Sequence, residues 1–260
     1  MAKTVLITGA SGGFGLEFAK IFAKNNFDLV LVARSGIKLN ELASELTKQY
    51  RNKIFVYEKD LSNVNSVDEI YNDLKNKNIN IDFLVNNAGF GDYGFFISTN
   101  WEKEWKMIEL NIVSLTYFTK LFAKDMVERK YGRIMNLAST AAFQPGPLMA
   151  VYYATKAYVL SFSEAISNEL KGTGVTITVL CPGPSESGFK DTAAASKSIM
   201  FNMRKLPTAK EVAEYGYKVM MKGKVVAVHG IINKLLTIIV RMMPKSLVRI
   251  VVRFLSSNVR

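Results

Sequence analysis

Thr4-Val-Leu-Ile-Thr-Gly-Ala-Ser-Gly-Gly-Phe-Gly15 decides how this chain folds. Thr4-Val-Leu-Ile7 is a short apolar run with the composition of a strand, and the residues from Gly13 to Asn25 follow a helical pattern. Between them the glycines at 9, 13 and 15 permit a tight turn and close approach of the backbone to a phosphate. The N-terminus of the helix that follows offers free N–H groups and the positive end of a dipole.

The same alternation continues outward from that turn. Asp28–Ala33, Ile54–Tyr57, Phe83–Val85, Arg133–Leu137, Val175–Leu180 and Val225–Val228 read as further strands, about seven in all with the first. Helical patterns fall around Lys38–Tyr50, Val64–Asn76, Glu102–Arg129, Val151–Lys171 and Thr208–Met221. Near-continuous apolar strands separated by helices imply a Rossmann-type, doubly wound parallel α/β sheet with helices on both faces. No linker rich in Pro, Gly or Ser divides the chain. We therefore expect one domain over residues 1–230, followed by an apolar, basic helical extension over 231–260. In this setting the glycine string points to a dinucleotide, with Gly9, Ser11, Gly12, Gly13, Phe14 and Gly15 as its contacts. A glycine string in another setting often marks only a turn.

A second pattern carries chemistry. Tyr152-Tyr-Ala-Thr-Lys156 puts a phenol and an ammonium at i and i+4, on one helix face, and Ser139 lies thirteen residues upstream. A tyrosine titrates near 10 and is a poor acid or base at neutrality, but a neighbouring cation pulls that value down. Such a group can exchange a proton with the oxygen of a carbonyl–alcohol pair. Tyr153 is the rival, since i+3 also shares a face with Lys156.

Taken together, the chain resembles the short-chain dehydrogenase/reductase family. The resemblance rests on the glycine turn, Asp60-Leu61, Asn86-Asn87-Ala88-Gly89, Asn111, Ser139, Tyr152, Lys156 and Cys181-Pro182-Gly183, all in family order over roughly residues 4 to 190. The resemblance implies that Tyr152 is the general acid in ketone reduction and the base in alcohol oxidation. Lys156 would lower the Tyr152 pKa and hold ribose hydroxyls, and Ser139 would donate to the substrate oxygen. Asn111 would hold a water that links Lys156 to solvent, and Tyr153 would be a packing residue. Asp60 and Leu61 are expected at the adenine, Asn87, Ala88 and Gly89 along the cofactor, and Pro182 and Gly183 beside the nicotinamide. Where relatives often carry a threonine soon after, this chain has Ser185 and Ser187.

An acid at the end of the second strand would select NAD through the ribose 2′-OH. This chain has Ala33 there, then Arg34 and Ser35. A guanidinium matches a 2′-phosphate in charge and geometry, so NADP(H) is expected. No basic residue stands inside the glycine turn, where Gly12 sits, so Arg34 and Ser11 would have to suffice. No metal is expected, and His229, the single histidine, is expected to be structural.

Residues 184–206 would form a substrate lid, with Phe189, Met200, Phe201 and Met203 suited to apolar substrates and Lys190, Lys197, Arg204 and Lys205 available to an anionic carrier. The expected substrates are 3-oxoacyl or keto-ester ketones. A steroid or secondary-alcohol dehydrogenase, or a low-turnover NADP(H)-binding regulatory or membrane protein, are the alternatives. The intact Ser139, Tyr152 and Lys156 weigh against a mere binder.

The net charge is +12, yet Tyr215–Arg260 alone holds nine basic residues and no acid. The rest of the chain is close to neutral, which removes most of the case for nucleic acid binding. The tail reads as two apolar helices broken at Pro244. It fits a subunit interface, an active-site flap or a peripheral membrane contact, and its charges exclude a spanning helix. The single cysteine, Cys181, rules out an internal disulfide. With an N-terminal apolar run too short for a signal peptide, that suggests a cytoplasmic protein, expected as a homodimer or homotetramer.

Overall fold

The computed structural model describes residues 2–189 and 206–257. The first half of the sheet alternates strands and helices as β1 (Thr4–Thr8), α1 (Gly13–Lys24), β2 (Asp28–Ala33), α2 (Gly36–Tyr50), β3 (Ile54–Glu58), α3 (Asn65–Asn76) and β4 (Phe83–Asn86). Then come α4 (Trp101–Ile108), α5 (Leu115–Glu128), β5 (Gly132–Leu137), α6 (Ala150–Glu169), β6 (Val175–Cys181), α7 (Ala209–Met221) and β7 (Val226–Val228). Two last helices, α8 (Ile231–Met242) and α9 (Lys245–Ser256), flank Pro244.

The strands lie in the order β3-β2-β1-β4-β5-β6-β7, all parallel. The chain steps outward from β1 to β3 and then returns to the other side of β1 with β4. That reversal opens a crevice beyond the carboxyl ends of β1 and β4.

The strands read as unbroken apolar runs because both faces are covered. Val5 and Ile7 pack into the core under α1, α2 and α7, while Leu6 between them faces the opposite core. The same split sends Leu29 and Leu31 of β2 one way and Val30 and Val32 the other. Phe22, Phe27 and Phe83 meet edge to face at 4.9–5.9 Å beneath α1. Truncating Phe22 to Ala would cost about 3–5 kcal/mol.

The sequence pattern anticipates the strands to within a residue or so, but it misses one break. The helix expected over Glu102–Arg129 is α4 and α5 joined by a π-helical segment, Glu109–Ser114. The wide turn surrounds Asn111, which is fully buried. Asn111 accepts from Phe90 N (3.2 Å) and donates to Phe90 O (3.0 Å) and Thr155 Oγ1 (3.1 Å). Side-chain bonds to a neighbouring loop and helix thus accompany the local widening of the helix. The start of α2 also moves forward, to Gly36, because Ser35 caps it by accepting from Lys38 N.

Candidate active site

A cleft of ≈ 670 Å³ opens at the crevice. Its wall contains Gly9, Ser11, Gly12, Gly13, Phe14, Arg34, Ser35, Asp60, Leu61, Asn87, Ala88, Gly89, Ser139, Tyr152, Lys156, Pro182 and Gly183. Of the residues expected to act in catalysis or hold the cofactor, Gly15 and Asn111 stand outside that wall. Gly15 supports the turn from below: a Cβ there would lie 2.2 Å from Gly9 O. Asn111 lies behind Gly89, whose hypothetical Cβ would be 2.8 Å from Asn111 Oδ1 and 3.5 Å from Lys156 Nζ.

The glycine turn fits an anion. Gly13 has φ +53°, and a Cβ on it would meet Ser187 O at 2.6 Å, so both conformation and space demand glycine. No side chain caps α1, which leaves its first-turn N–H groups to a ligand. Gly12 has open space around it and is not held by sterics. The turn is tied to β4 through Thr8, a residue whose role the sequence did not reveal. Its hydroxyl accepts from Asn87 N (3.0 Å) and Ala88 N (2.9 Å), and Asn87 Nδ2 donates to Thr8 O (2.9 Å) and Gly9 O (3.2 Å). Asn86 is a strand tie, donating to Asn136 Oδ1 (2.9 Å) and Thr119 Oγ1 (3.0 Å).

At the open end of the cleft Arg34 is joined by Lys38 and Lys59. Burial works to raise the Asp60 carboxyl. Hydrogen bonds from the Ser62 N–H and hydroxyl, with the charges of Arg34 and Lys106, outweigh it and hold the group below its ordinary range. Lys59 also pairs with Glu69. Lys38 follows Arg34 by four residues, while Lys59 reaches it only in the folded chain, from the end of β3.

At the closed end Tyr152 and Lys156 lie on α6, 8% and 6% exposed. Lys156 Nζ donates to Leu137 O (2.8 Å) and sits 5.8 Å from the centre of the Tyr152 ring. Burial pulls this ammonium down to about 8, partly opposed by Cys181. Burial pushes the Tyr152 phenol well above its ordinary value. A hydrogen bond with Ser139 works against that rise, and Tyr153 adds to it. Burial therefore outweighs the lowering expected from Lys156. Here the ammonium lies over the ring face, is bonded to a carbonyl and is itself desolvated.

Ser139 Oγ accepts from Ala141 N (3.1 Å) and donates to Pro182 O (3.4 Å), which fixes it at the start of a short 3₁₀ turn, Thr140–Phe143. Tyr153 packs as expected. It is buried, its ring abuts Gly146, and burial raises its phenol to about 12 against hydrogen bonds with Ser256 and Gln144. His229 has an edge contact with Tyr215 at 5.3 Å, and burial lowers its pKa, in keeping with a structural residue.

Apolar side chains close this end: Phe90, Met149, Tyr153 and Phe189 line it. Phe189 lies 4.9 Å from the Tyr152 ring, centre to centre. Pro184, Ser185, Ser187, Gly188 and Phe189 are the described part of the expected lid that reaches the cleft. Residues 190–205, with Lys190, Lys197, Met200, Phe201, Met203, Arg204 and Lys205, lie outside the described residues. No cluster of metal-binding side chains occurs among the described residues.

A family model described as "short chain dehydrogenase" matches residues 3–198, and the chain belongs to that family. Among its relatives, 17-beta-hydroxysteroid dehydrogenase type 3 of Mus musculus is 35% identical over 70% of this chain and 60% of its own length. Very-long-chain 3-oxoacyl-CoA reductase of Bos taurus is 31% identical over 70% and 59%. The chain thus spans about three fifths of these relatives. A solved short-chain dehydrogenase from Sphingobium yanoikuyae, in complex with NADPH, superposes with a TM-score of 0.82 at 28% identity. That match covers 92% of this chain and 94% of the other.

Proposed function

We propose that this protein reduces a ketone to a secondary alcohol with NADPH as hydride donor. The observation that carries the reading is convergence: the uncapped glycine turn and the Ser139, Tyr152, Lys156 group face one cleft. The turn and the first N–H groups of α1 would hold the pyrophosphate, Asp60 and Leu61 the adenine, and Lys156 the nicotinamide ribose. Bound there, the reduced nicotinamide supplies a hydride for the carbonyl carbon. The chain's own contribution concerns the oxygen. Ser139 donates to it as negative charge grows, and the protonated Tyr152 hydroxyl then gives up its proton.

A phenol held protonated by burial suits the acid role. Positive charge from Lys156 would favour the phenolate once the proton has left. Asn111 spends both amide protons on Phe90 and Thr155 and accepts from Phe90 N, so we assign it first to holding the Gly89–Phe90 wall against α6, with only the second lone pair of its carbonyl oxygen left for a relay water.

Arg34, Lys38 and Lys59 support NADPH over NADH, because a 2′-phosphate brings two negative charges to three cations. The apolar closed end supports a ketone with apolar flanks, of the 3-oxoacyl or keto-ester kind. The name of the bovine relative fits the 3-oxoacyl class, and that of the mouse relative keeps hydroxysteroids as a second substrate class. Purified protein mixed with NADPH and a panel of keto esters, 3-oxoacyl thioesters and 17-ketosteroids, followed by nicotinamide absorbance, tests this. Turnover of a keto ester or thioester is the expected result. Tight NADPH binding with no turnover across the panel would overturn it in favour of a cofactor-binding regulatory protein.

A further inference from the structure

The two C-terminal helices are oriented the wrong way for a protein surface in water. Helix α8 turns Asn233, Thr237 and Val240 towards the body, and α9 turns Val248, Val252 and Ser256 inward at i, i+4 and i+8. Their more apolar sides face out. Ile232 is 74% exposed and Met242 83% on α8, and Ile250 is 68% and Phe254 66% on α9. At about 100° per residue, the outward residues of α8 from Ile231 to Met242 form one arc flanked by Lys234 and Arg241. On α9, Leu247, Ile250, Val251 and Phe254 form another, edged on one side by Arg249 and Arg253, with Lys245 exposed at the first residue of the helix. Arg253 stacks over Phe95 at 4.8 Å, which carries the surface on to the exposed Phe95-Phe96-Ile97 turn.

We propose that α8 and α9 form a docking face for an anionic phospholipid surface. Exposed apolar residues flanked by lysines and arginines match the two layers of such a surface, acyl chains below and phosphates above. Neither helix is long and apolar enough to cross a bilayer, so they would lie in its surface. A second copy of the chain fits this face less well. A two-fold contact sets a patch against itself, and five basic residues would meet five more with no Asp or Glu from Tyr215 onward to pair them.

The inward stripe of α9 shares an apolar cluster with Tyr152, Tyr153 and Met149, and Tyr93 donates to Ser256 O at 2.7 Å. Docking would therefore set the closed end of the cleft near the lipid.

The test is flotation of the purified full-length chain with vesicles of phosphatidylcholine alone or with about one quarter phosphatidylglycerol. Binding to the anionic vesicles, weakened by about 1 M salt, is expected. Lys245→Gln with Arg249→Gln should weaken it about 30-fold, at about fivefold per basic residue. Ile250→Glu with Phe254→Glu should weaken it at least about 100-fold. All four positions are exposed, so these variants should keep the wild-type circular dichroism and melting temperature. Wild-type protein that fails to float with anionic vesicles overturns the proposal, as does an Ile250→Glu/Phe254→Glu variant that floats normally. A dimer in sedimentation velocity that this variant splits, without vesicle binding, would assign the face to a second copy.

Discussion

The two ends of the cleft hold similar groups in opposite surroundings. Tyr152 and Lys156 are buried, while Arg34, Lys38 and Asp60 are in water. Desolvation at the closed end pulls a lysine down to about 8 and pushes a phenol upward, so a change there would alter the chemistry itself. At the open end, water and salt screen each charge, and a change there adjusts which cofactor binds and how well. The sharpest way to break this contrast is Tyr152→Phe. Loss of the proton donor should lower kcat about 10³-fold with NADPH affinity unchanged, read from nicotinamide absorbance and fluorescence titration. A variant that keeps a tenth of the rate would move the acid role elsewhere, Tyr153 being the first place to look.

Arg34→Asp tests the open end. On the proposed reading it would exchange a charge-assisted bond to a 2′-phosphate for repulsion, and should lower the ratio of kcat/KM for NADPH over NADH by up to about 100-fold. The rate with NADH should stay near wild type, since the closed end is untouched. An unchanged ratio would sink the assignment of Arg34.

How legible each end was in the sequence follows from where its residues come from. Tyr152 and Lys156 sit on one helix, so a spacing of four places them together, and Gly9 to Gly15 lie in one turn. The sheet was legible for the same reason, since Val5, Leu6 and Ile7 are apolar on both faces. Lys59 joins Arg34 from the end of β3, and no local pattern announces that, whereas Lys38 stands only four residues after Arg34. Nor could spacing show the π-helical turn at Asn111, which accompanies bonds to Phe90 and Thr155 from other elements. At Tyr152 the sequence shows a neighbouring charge but hides the burial that outweighs it.

That burial makes a prediction about stability. In the folded chain Lys156 titrates at about 8, against about 10.4 when unfolded. Between those values the unfolded state binds more protons, so stability attributable to this residue rises with pH. Below about 8 the cost of holding the buried ammonium is fully present, and above about 10.4 it is gone. Wild type measured against Lys156→Met should therefore gain about 2 kcal/mol between pH 8 and 10, as read by denaturant unfolding at each pH. A constant difference across that window would mean that Lys156 is not desolvated in solution.

The smallest effect belongs to Lys38→Ala. Lys38 is exposed on the first turns of α2 and would act on a cofactor phosphate from the rim of the cleft. Its contribution should be about two- to fivefold in NADPH affinity at low salt, with kcat unchanged. It should fade as ionic strength approaches about 1 M, where the screening length shrinks to about 3 Å. The Tyr152→Phe loss should not change with salt, because no screening ion reaches a buried phenol. If Lys38→Ala instead lowered kcat, or kept its full effect at high salt, charge at the open end would be acting from a desolvated site and the contrast between the two ends would fail.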